Sequence, residues 1–264
     1  MKRHFFECAL VAVAVAMCGC RSVGGPYRPM PWPSEVAGAA QGKALETLRR
    51  LISQSVERYE GVNDYRCVFQ KRQRVGGSLQ DQQRIVLKFR KPMNLYMRWL
   101  TKAHEGQEIL YAPSRYGRKA LAHPGGWKGT LMPAIPIDVD GYWVMRDNIH
   151  PIDHVGIGHF LGVFAENARR ARAEKTSALI DRGEERVGAR PARVIEAVLP
   201  PEREKGYYCY RCLVWFDEES LLPVKIQVYD WDNNLSEEYM YENLEVDVGL
   251  TDRDFDRGNN EYNF

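Results

Sequence analysis

The chain switches between two hydrophobic periods. From Lys43 to Tyr59 (KALETLRRLISQSVERY) apolar residues recur every three or four positions, at Leu45, Leu48, Ile52, Val56 and Tyr59. That spacing predicts a helix with one apolar stripe. Arg49, Arg50, Glu57 and Arg58 fall mostly elsewhere on it, and Gly61 is placed to end it. The period then becomes two. In DYRCVFQKRQRV, Tyr65, Cys67 and Phe69 share one strand face, and Arg66, Gln70, Arg72 and Arg74 share the other. Gly76-Gly77 turns the chain. QRIVLKFR sets Ile85, Leu87 and Phe89 opposite Lys88 and Arg90, and after Pro92 the run NLYMRWL groups Leu95, Met97 and Trp99. EILYAP and RKALAHP form a further pair around Ser114 to Gly117.

A Gly- and Pro-rich stretch follows (GGWKGTLMPAIPIDVDGYWVM), and helical spacing returns over 156–173, with Phe160, Val163, Phe164 and Ala168 as the apolar side. Strands resume with ALIDRGEERV, ARVIEAVLP, YYCYRCLVWFD, PVKIQVYDW and SEEYMYENLEV. The polar tail carries Phe255, Tyr262 and Phe264 as spaced anchors. Consecutive strands without intervening helices predict an antiparallel meander and exclude a parallel sheet. One segment departs from simple alternation. In LVWFDEESLLPVKIQVYDWDNN, Val214 and Phe216 lie on one face of a strand, yet Leu213 and Trp215 on the other are apolar too. A half-solvated antiparallel sheet should keep one face polar, so something must cover the second.

The N-terminus changes the picture of where this happens. Lys2, Arg3 and His4 precede an apolar run from Phe5 to Met17. The run is shorter than the ~20 residues of a membrane span and fits a signal peptide. It ends in Met17-Cys18-Gly19-Cys20, which resembles a bacterial lipoprotein cleavage box. Residues 1–19 are therefore expected to be a signal peptide. Cys20, preceded by the small Gly19, is the expected acceptor of diacylglycerol and palmitate. Arg21 stands where an Asp would favour inner-membrane retention, which points to an anchor in the outer membrane facing the periplasm. Residues 20–42, rich in Gly, Pro and Ala, read as a tether. Residues 43–264 are then one β-rich domain.

The net charge of +2 gives no reason to expect nucleic acid. Outside the signal region three of the six cysteines remain, Cys67, Cys209 and Cys212. Cys209 and Cys212 sit three apart in a strand pattern, on opposite faces and ~10 Å apart, too far for a disulfide with each other. A bridge from one of them to Cys67, or three buried thiols, both remain open. The densest group of ligand-type residues is His150, Asp153, His154 and His159 (HPIDHVGIGHF). It lacks the helical spacing of zinc sites, and the plainer reading makes it the approach to a helix capped by Asp153. Asp138 and Asp140 read as a polar turn before Gly141. Arg169, Arg170, Arg172 and Lys175 make a basic helix end that suits the helix dipole. No nucleophile-plus-base or phosphate-loop motif appears. No enzyme activity, metal or cofactor is expected, and the metal-dependent enzyme built on these histidines is the least favoured class.

The order of elements resembles the bacterial lipoprotein-carrier superfamily typified by LolA and LolB, and within it an uncharacterised envelope family of unknown function. The likeness rests on the helix leading into DYRCVFQKRQRVGG, on KPMNLYMRWL, on EILY followed by ALAHPGGW, and on LVWFDEESLLPVKIQVYDWD with a closing LTDRDFD. It implies an α+β, mainly β fold: a curved antiparallel sheet forming an incomplete barrel, with helices on its open side and an apolar cavity for acyl chains. An N-terminal lipid on such a barrel is closer to LolB than to soluble LolA, and TLMPAIPI is a counterpart for the exposed apolar loop of LolB. The expected product is a monomer that meets the membrane through its lipid and binds an acyl chain or other apolar ligand. An interaction module docking an envelope partner is the alternative. Expected lining comes from the apolar faces: Phe69 on the first strand, Leu87 and Phe89 on the next, then Met97, Trp99 and Leu110. From the second half come Val214, Phe216, Ile226 and Val228.

Overall fold

The computed structural model describes residues 38–129, 131–174 and 178–264, with side chains from Leu45 onward. The signal peptide, Cys20, most of the tether and Lys175 lie outside the described residues. The long helix α1 spans Gly38–Glu60 and so begins within the segment read as tether. Ala39, Ala40 and Gln41 are strong helix formers, which explains the earlier start.

Among the described residues twelve strands follow, all antiparallel: β1 (Asp64–Val75), β2 (Ser78–Leu79), β3 (Gln83–Arg90), β4 (Asn94–Trp99), β5 (Glu108–Tyr111), β6 (Lys119–His123), β7 (Ile135–Asp138), β8 (Ala178–Val187), β9 (Arg190–Val198), β10 (Arg211–Asp217), β11 (Pro223–Tyr229) and β12 (Leu235–Val246). Short helices α2 (Pro113–Tyr116), α3 (Gly126–Gly129) and α4 (Tyr142–Met145) sit in the first half, and the long α5 (Ile157–Glu174) links the halves. The spatial order is β7-β6-β5-β4-β3-β1-β12-β11-β10-β9-β8, with β2 hairpinned onto β1. The chain starts at the centre, winds out to one edge, crosses through α5 and winds back from the other edge. The sheet does not close, because β7 and β8 end as edges.

Period two decides the faces. Cys67 stands opposite Leu87, Phe69 opposite Ile85, and Leu87 opposite Met97. These residues join one core cluster with Leu48 and Ile52 of α1, Ile157, Leu161 and Phe164 of α5, and Val214, Phe216 and Ile226 from the far half of the sheet. One cluster reaching both halves means the sheet wraps the two long helices. α5 begins where Ile157 donates its backbone N–H to the Tyr65 hydroxyl at 3.2 Å. The expected cap, Asp153, instead lies in a separate turn, Ile152–His154. Gly156, at φ 126, leaves room there, since a Cβ would come within 2.8 Å of the Tyr65 hydroxyl.

The outer face explains the doubly apolar strand. Trp215 is buried on that side. Its indole N–H donates to Glu185 at 2.8 Å and Lys225 lies over its ring at 4.7 Å. Charged side chains thus cover the second apolar face of β10. On the other half the C-terminal tail does so. Phe255, Tyr262 and Phe264 pack on Tyr96, Leu110 and Ala112, with Tyr262 stacked on Tyr96 at 3.8 Å. Asp64 helps to anchor this tail, its carboxylate accepting the backbone N–H groups of Val248, Gly249 and Leu250 at 2.8, 3.2 and 3.1 Å. Asp64→Ala leaves those groups without their acceptor and should destabilise the domain by about 3 kcal/mol, in keeping with hydrogen bonds to a charged group. Denaturant unfolding checks this.

Candidate functional site

The apolar surfaces of α1 and α5 do not fill the space inside the sheet. A cavity of about 540 Å³ remains between them and β1, β9, β11 and β12. Gly158 explains how the helices meet at one end. A Cβ there would come within 2.4 Å of the Tyr59 ring, so glycine lets α1 and α5 approach closely. Further along, Ile52 and Val56 of α1 and Phe160 and Val163 of α5 face the cavity. The opposite wall carries Phe69, Val228 and Tyr241. Phe69 packs between Tyr239 and Tyr241, at ring distances of 5.6 and 5.2 Å.

One end of the cavity is polar. Glu237, only 4% exposed, accepts from Tyr208 at 2.6 Å and from Tyr239 at 2.8 Å, and His150 Nε2 lies 3.0 Å away. Gln73 donates to the Tyr239 hydroxyl at 2.6 Å and accepts from the Ile149 backbone at 3.4 Å. Two phenol donors and the His150 ring thus satisfy this buried carboxyl group, as burial of a polar group requires. Loss of water, reinforced by the Glu237 charge, pushes the Tyr208 and Tyr239 phenols far up, so both stay protonated donors. Lys71, one step from Phe69 on the same face of β1, also lines this end and bonds to the Asn148 amide oxygen. Burial lowers its pKa to about 8, with Asp147 pulling the other way.

The three histidines of HPIDHVGIGHF gather at this end. His154 and His159 stack at 4.1 Å, and His150 lies 6.2 and 6.5 Å from them. Burial, then the neighbouring His154 and His150, holds His159 below the usual imidazole range. Among the described residues no group of three or more His, Cys, Asp or Glu side chains is arranged to hold a metal ion.

Phe69 and Val228 line the cavity. Leu87, Phe89, Met97, Trp99, Val214, Phe216 and Ile226 are packed into the surrounding core instead. Leu110 faces the other way, fully buried beneath the C-terminal tail. In EILY all four residues are buried, so alternation cannot tell the two faces apart. Lys71, Tyr239 and Tyr241 line the cavity as well, though no apolar period marks them as a group in the sequence. Lys71 was findable, because it has the same strand parity as Tyr65, Cys67 and Phe69. Tyr207 to Tyr210 precede β10 rather than beginning it, and Cys67, Cys209 and Cys212 are free and buried. Asp138 pairs with Lys119 at 3.6 Å, as a surface pair beside an exposed Asp140. Within TLMPAIPI, Leu131 and Met132 are exposed, and so are the nearby Trp127, Tyr142 and Trp143.

Residues 62–264 match a family model described as Protein of unknown function (DUF1571). The chain belongs to this DUF1571 family. A comparison with curated protein sequences found no match. Among solved structures, this DUF1571 protein is similar to the lipoprotein LppX of Mycobacterium tuberculosis, at 10% identity over 78% of this chain and 98% of LppX, TM-score 0.46. It is similar to a LolA superfamily protein of Nitrosomonas europaea, at 12% identity over 79% and 97% of the two chains, TM-score 0.35. It is also similar to the chain in a MucA/MucB complex of Pseudomonas aeruginosa, at 16% identity over 82% of this chain and 61% of that one, TM-score 0.42. A LolA superfamily protein, of the superfamily that the sequence resembles, is among these structural neighbours. Among the described residues no helix is long and apolar enough to cross a membrane.

Burial pushes all three thiols of the DUF1571 domain up, Cys209 to about 12, so none is a ready nucleophile. The domain lacking residues 1–20 should resist an aromatic disulfide reagent while folded. Unfolded without reductant it should release three titratable thiols; one thiol would mean a disulfide.

Proposed function

We propose that this protein is a lipid-anchored lipoprotein of the cell envelope whose interior binds an acyl chain or another elongated apolar ligand, by burial and without bond chemistry. The observation that carries this reading is the cavity of about 540 Å³ between α1, α5 and the sheet. Its size falls within the ~300–1,000 Å³ of small-molecule sites. The helices present apolar side chains to it that stay half-buried, as at Phe160 and Val163. An apolar chain entering the cavity gains ~0.8 kcal/mol per methylene removed from water, so a dozen methylenes supply ample driving force. The anchor at Cys20 would keep the domain at a membrane surface, outer membrane first, and a role in lipid or lipoprotein trafficking follows.

A second reading, a module docking an envelope protein, is favoured by a different observation: Trp127, Leu131, Met132, Tyr142 and Trp143 are all exposed in the two connections that flank β7. Cross-linking that traps a stoichiometric protein partner, with no lipid inside the domain, would select it.

The domain without residues 1–20, purified and extracted with organic solvent, should yield an acyl lipid near one per protein or take one up from vesicles. Val163→Trp should lower that uptake roughly tenfold or more, the equivalent of about two methylenes of lost burial. An interior that holds and takes up nothing contradicts the reading. In the full chain, Cys20→Ser should move the protein from the membrane fraction to the soluble periplasmic fraction; retention in the membrane would assign the anchor elsewhere.

A further inference from the structure

Resting on the apolar-ligand reading, we propose that the cavity is built for an amphiphile with an anionic head, a carboxylate or a phosphate monoester, whose charge is received by Lys71. Lys71 projects from the inner face of β1 into the same cavity that Phe69 walls. Its ammonium bonds to Asn148, a neutral amide. Among the described residues no carboxylate forms an ion pair with it. The nearest acidic influence is Asp147, and Asp147 is held in a two-pronged pair by Arg146, with Arg146 Nη2 at 2.9 Å. Glu237, the buried carboxylate of the same cavity, is occupied by Tyr208, Tyr239 and His150. An ammonium partly removed from water without a counter-ion is costly; Lys71 stands on the sheet wall, apart from the helix-borne Arg49, Arg169 and Arg172 that also line the cavity, and the missing partner is the head group of the guest.

The surroundings are consistent with this polarity. The groups sharing this end are Gln73 from β1, Tyr239 and Glu237 from β12, Asn148 and His150 from the connection before α5, His154 from its last turn, His159 from α5 itself and Tyr208 ahead of β10, while Asp147, paired with Arg146, acts on Lys71 from outside the lining. A bound anion would be shielded from water by the same walls that desolvate Lys71, which strengthens the charge pair. Lys71 therefore selects the head, while Phe69, Phe160 and Val163 accept the chain.

The pH dependence follows with its sign. In the empty protein Lys71 loses its proton as pH rises through about 8. An anion bound at Lys71 holds the proton on, so affinity for the anion is full below about 8 and falls above it. A fall between pH 8 and 10 that Lys71→Met abolishes reports on Lys71.

The test compares palmitate, hexadecyl phosphate and 1-hexadecanol binding to the delipidated domain, by displacement of a fluorescent fatty-acid probe. At pH 7 both anions should bind at least tenfold tighter than the alcohol, and the preference should shrink from pH 8 to 10. Lys71→Met should lower the affinity for palmitate at least tenfold more than that for 1-hexadecanol, and Lys71→Arg should retain most of the preference. The melting temperature of Lys71→Met should not drop, since the substitution removes a desolvated charge, and this separates lost recognition from lost fold. If only one anion shows the preference, that anion is the head group. Equal binding of anions and alcohol, or a Lys71→Met loss shared by all three, overturns the inference and leaves the apolar-ligand reading standing. Binding of none of the three overturns both.

Discussion

The pairing of β1 with β12 is the constraint on which the rest depends. It brings the beginning and the end of the folded chain together at the centre of the sheet, with Phe69 opposite Tyr241 and Lys71 opposite Tyr239. Without it the two meanders would be separate sheets, each with an apolar face and no lid. With it they form one open sheet wide enough to wrap α1 and α5. The junction is reinforced on its outer face, where Arg66 meets Glu245 at 2.8 Å and Arg84 meets Glu242 at 2.9 Å. Such exposed pairs add little stability individually, but they favour the register that puts the aromatic residues inside.

That register also sets the chemistry of the interior. Because side chains alternate, the pairs that place Phe69 and Tyr241 inward necessarily place Lys71, Gln73, Tyr239 and Glu237 inward as well. The apolar wall and the polar end of the cavity are therefore consecutive stretches of the same two strands. Gly158 holds the helices together at one end, while Phe160 and Val163 leave a gap beyond it. A protein interior is normally close-packed, so a cavity of about 540 Å³ bounded by half-buried aromatic and aliphatic side chains is a departure that calls for an occupant.

Much of the fold was legible because period two is a local property. Tyr65, Cys67 and Phe69 announced the inner face of β1, and Leu48 and Ile52 announced the buried stripe of α1. What the sequence could not show was which of two apolar faces met which cover. Leu110 and Ile109 are equally apolar, and only a tail more than a hundred residues away assigns Leu110 to the outside. Trp215 is buried with the main cluster, and it is Lys225 and Glu185 that cap it from outside. The cavity itself was the least legible feature, since a residue lining a gap and a residue filling one have the same pattern. The histidines were visible as a cluster in sequence, but the meeting of His150 with Glu237 and Tyr208 depends on strand pairing nearly ninety residues further along the chain.

The central claim is that the space between the helices and the sheet belongs to a guest. An experimental electron-density map of the domain purified from its own membranes, without delipidation, tests this most directly. The account predicts continuous elongated density running past Phe160 and Val163, with its polar end against Lys71. A cavity holding only water, or one closed by Phe160 and Val163 packing onto Tyr241, would contradict it.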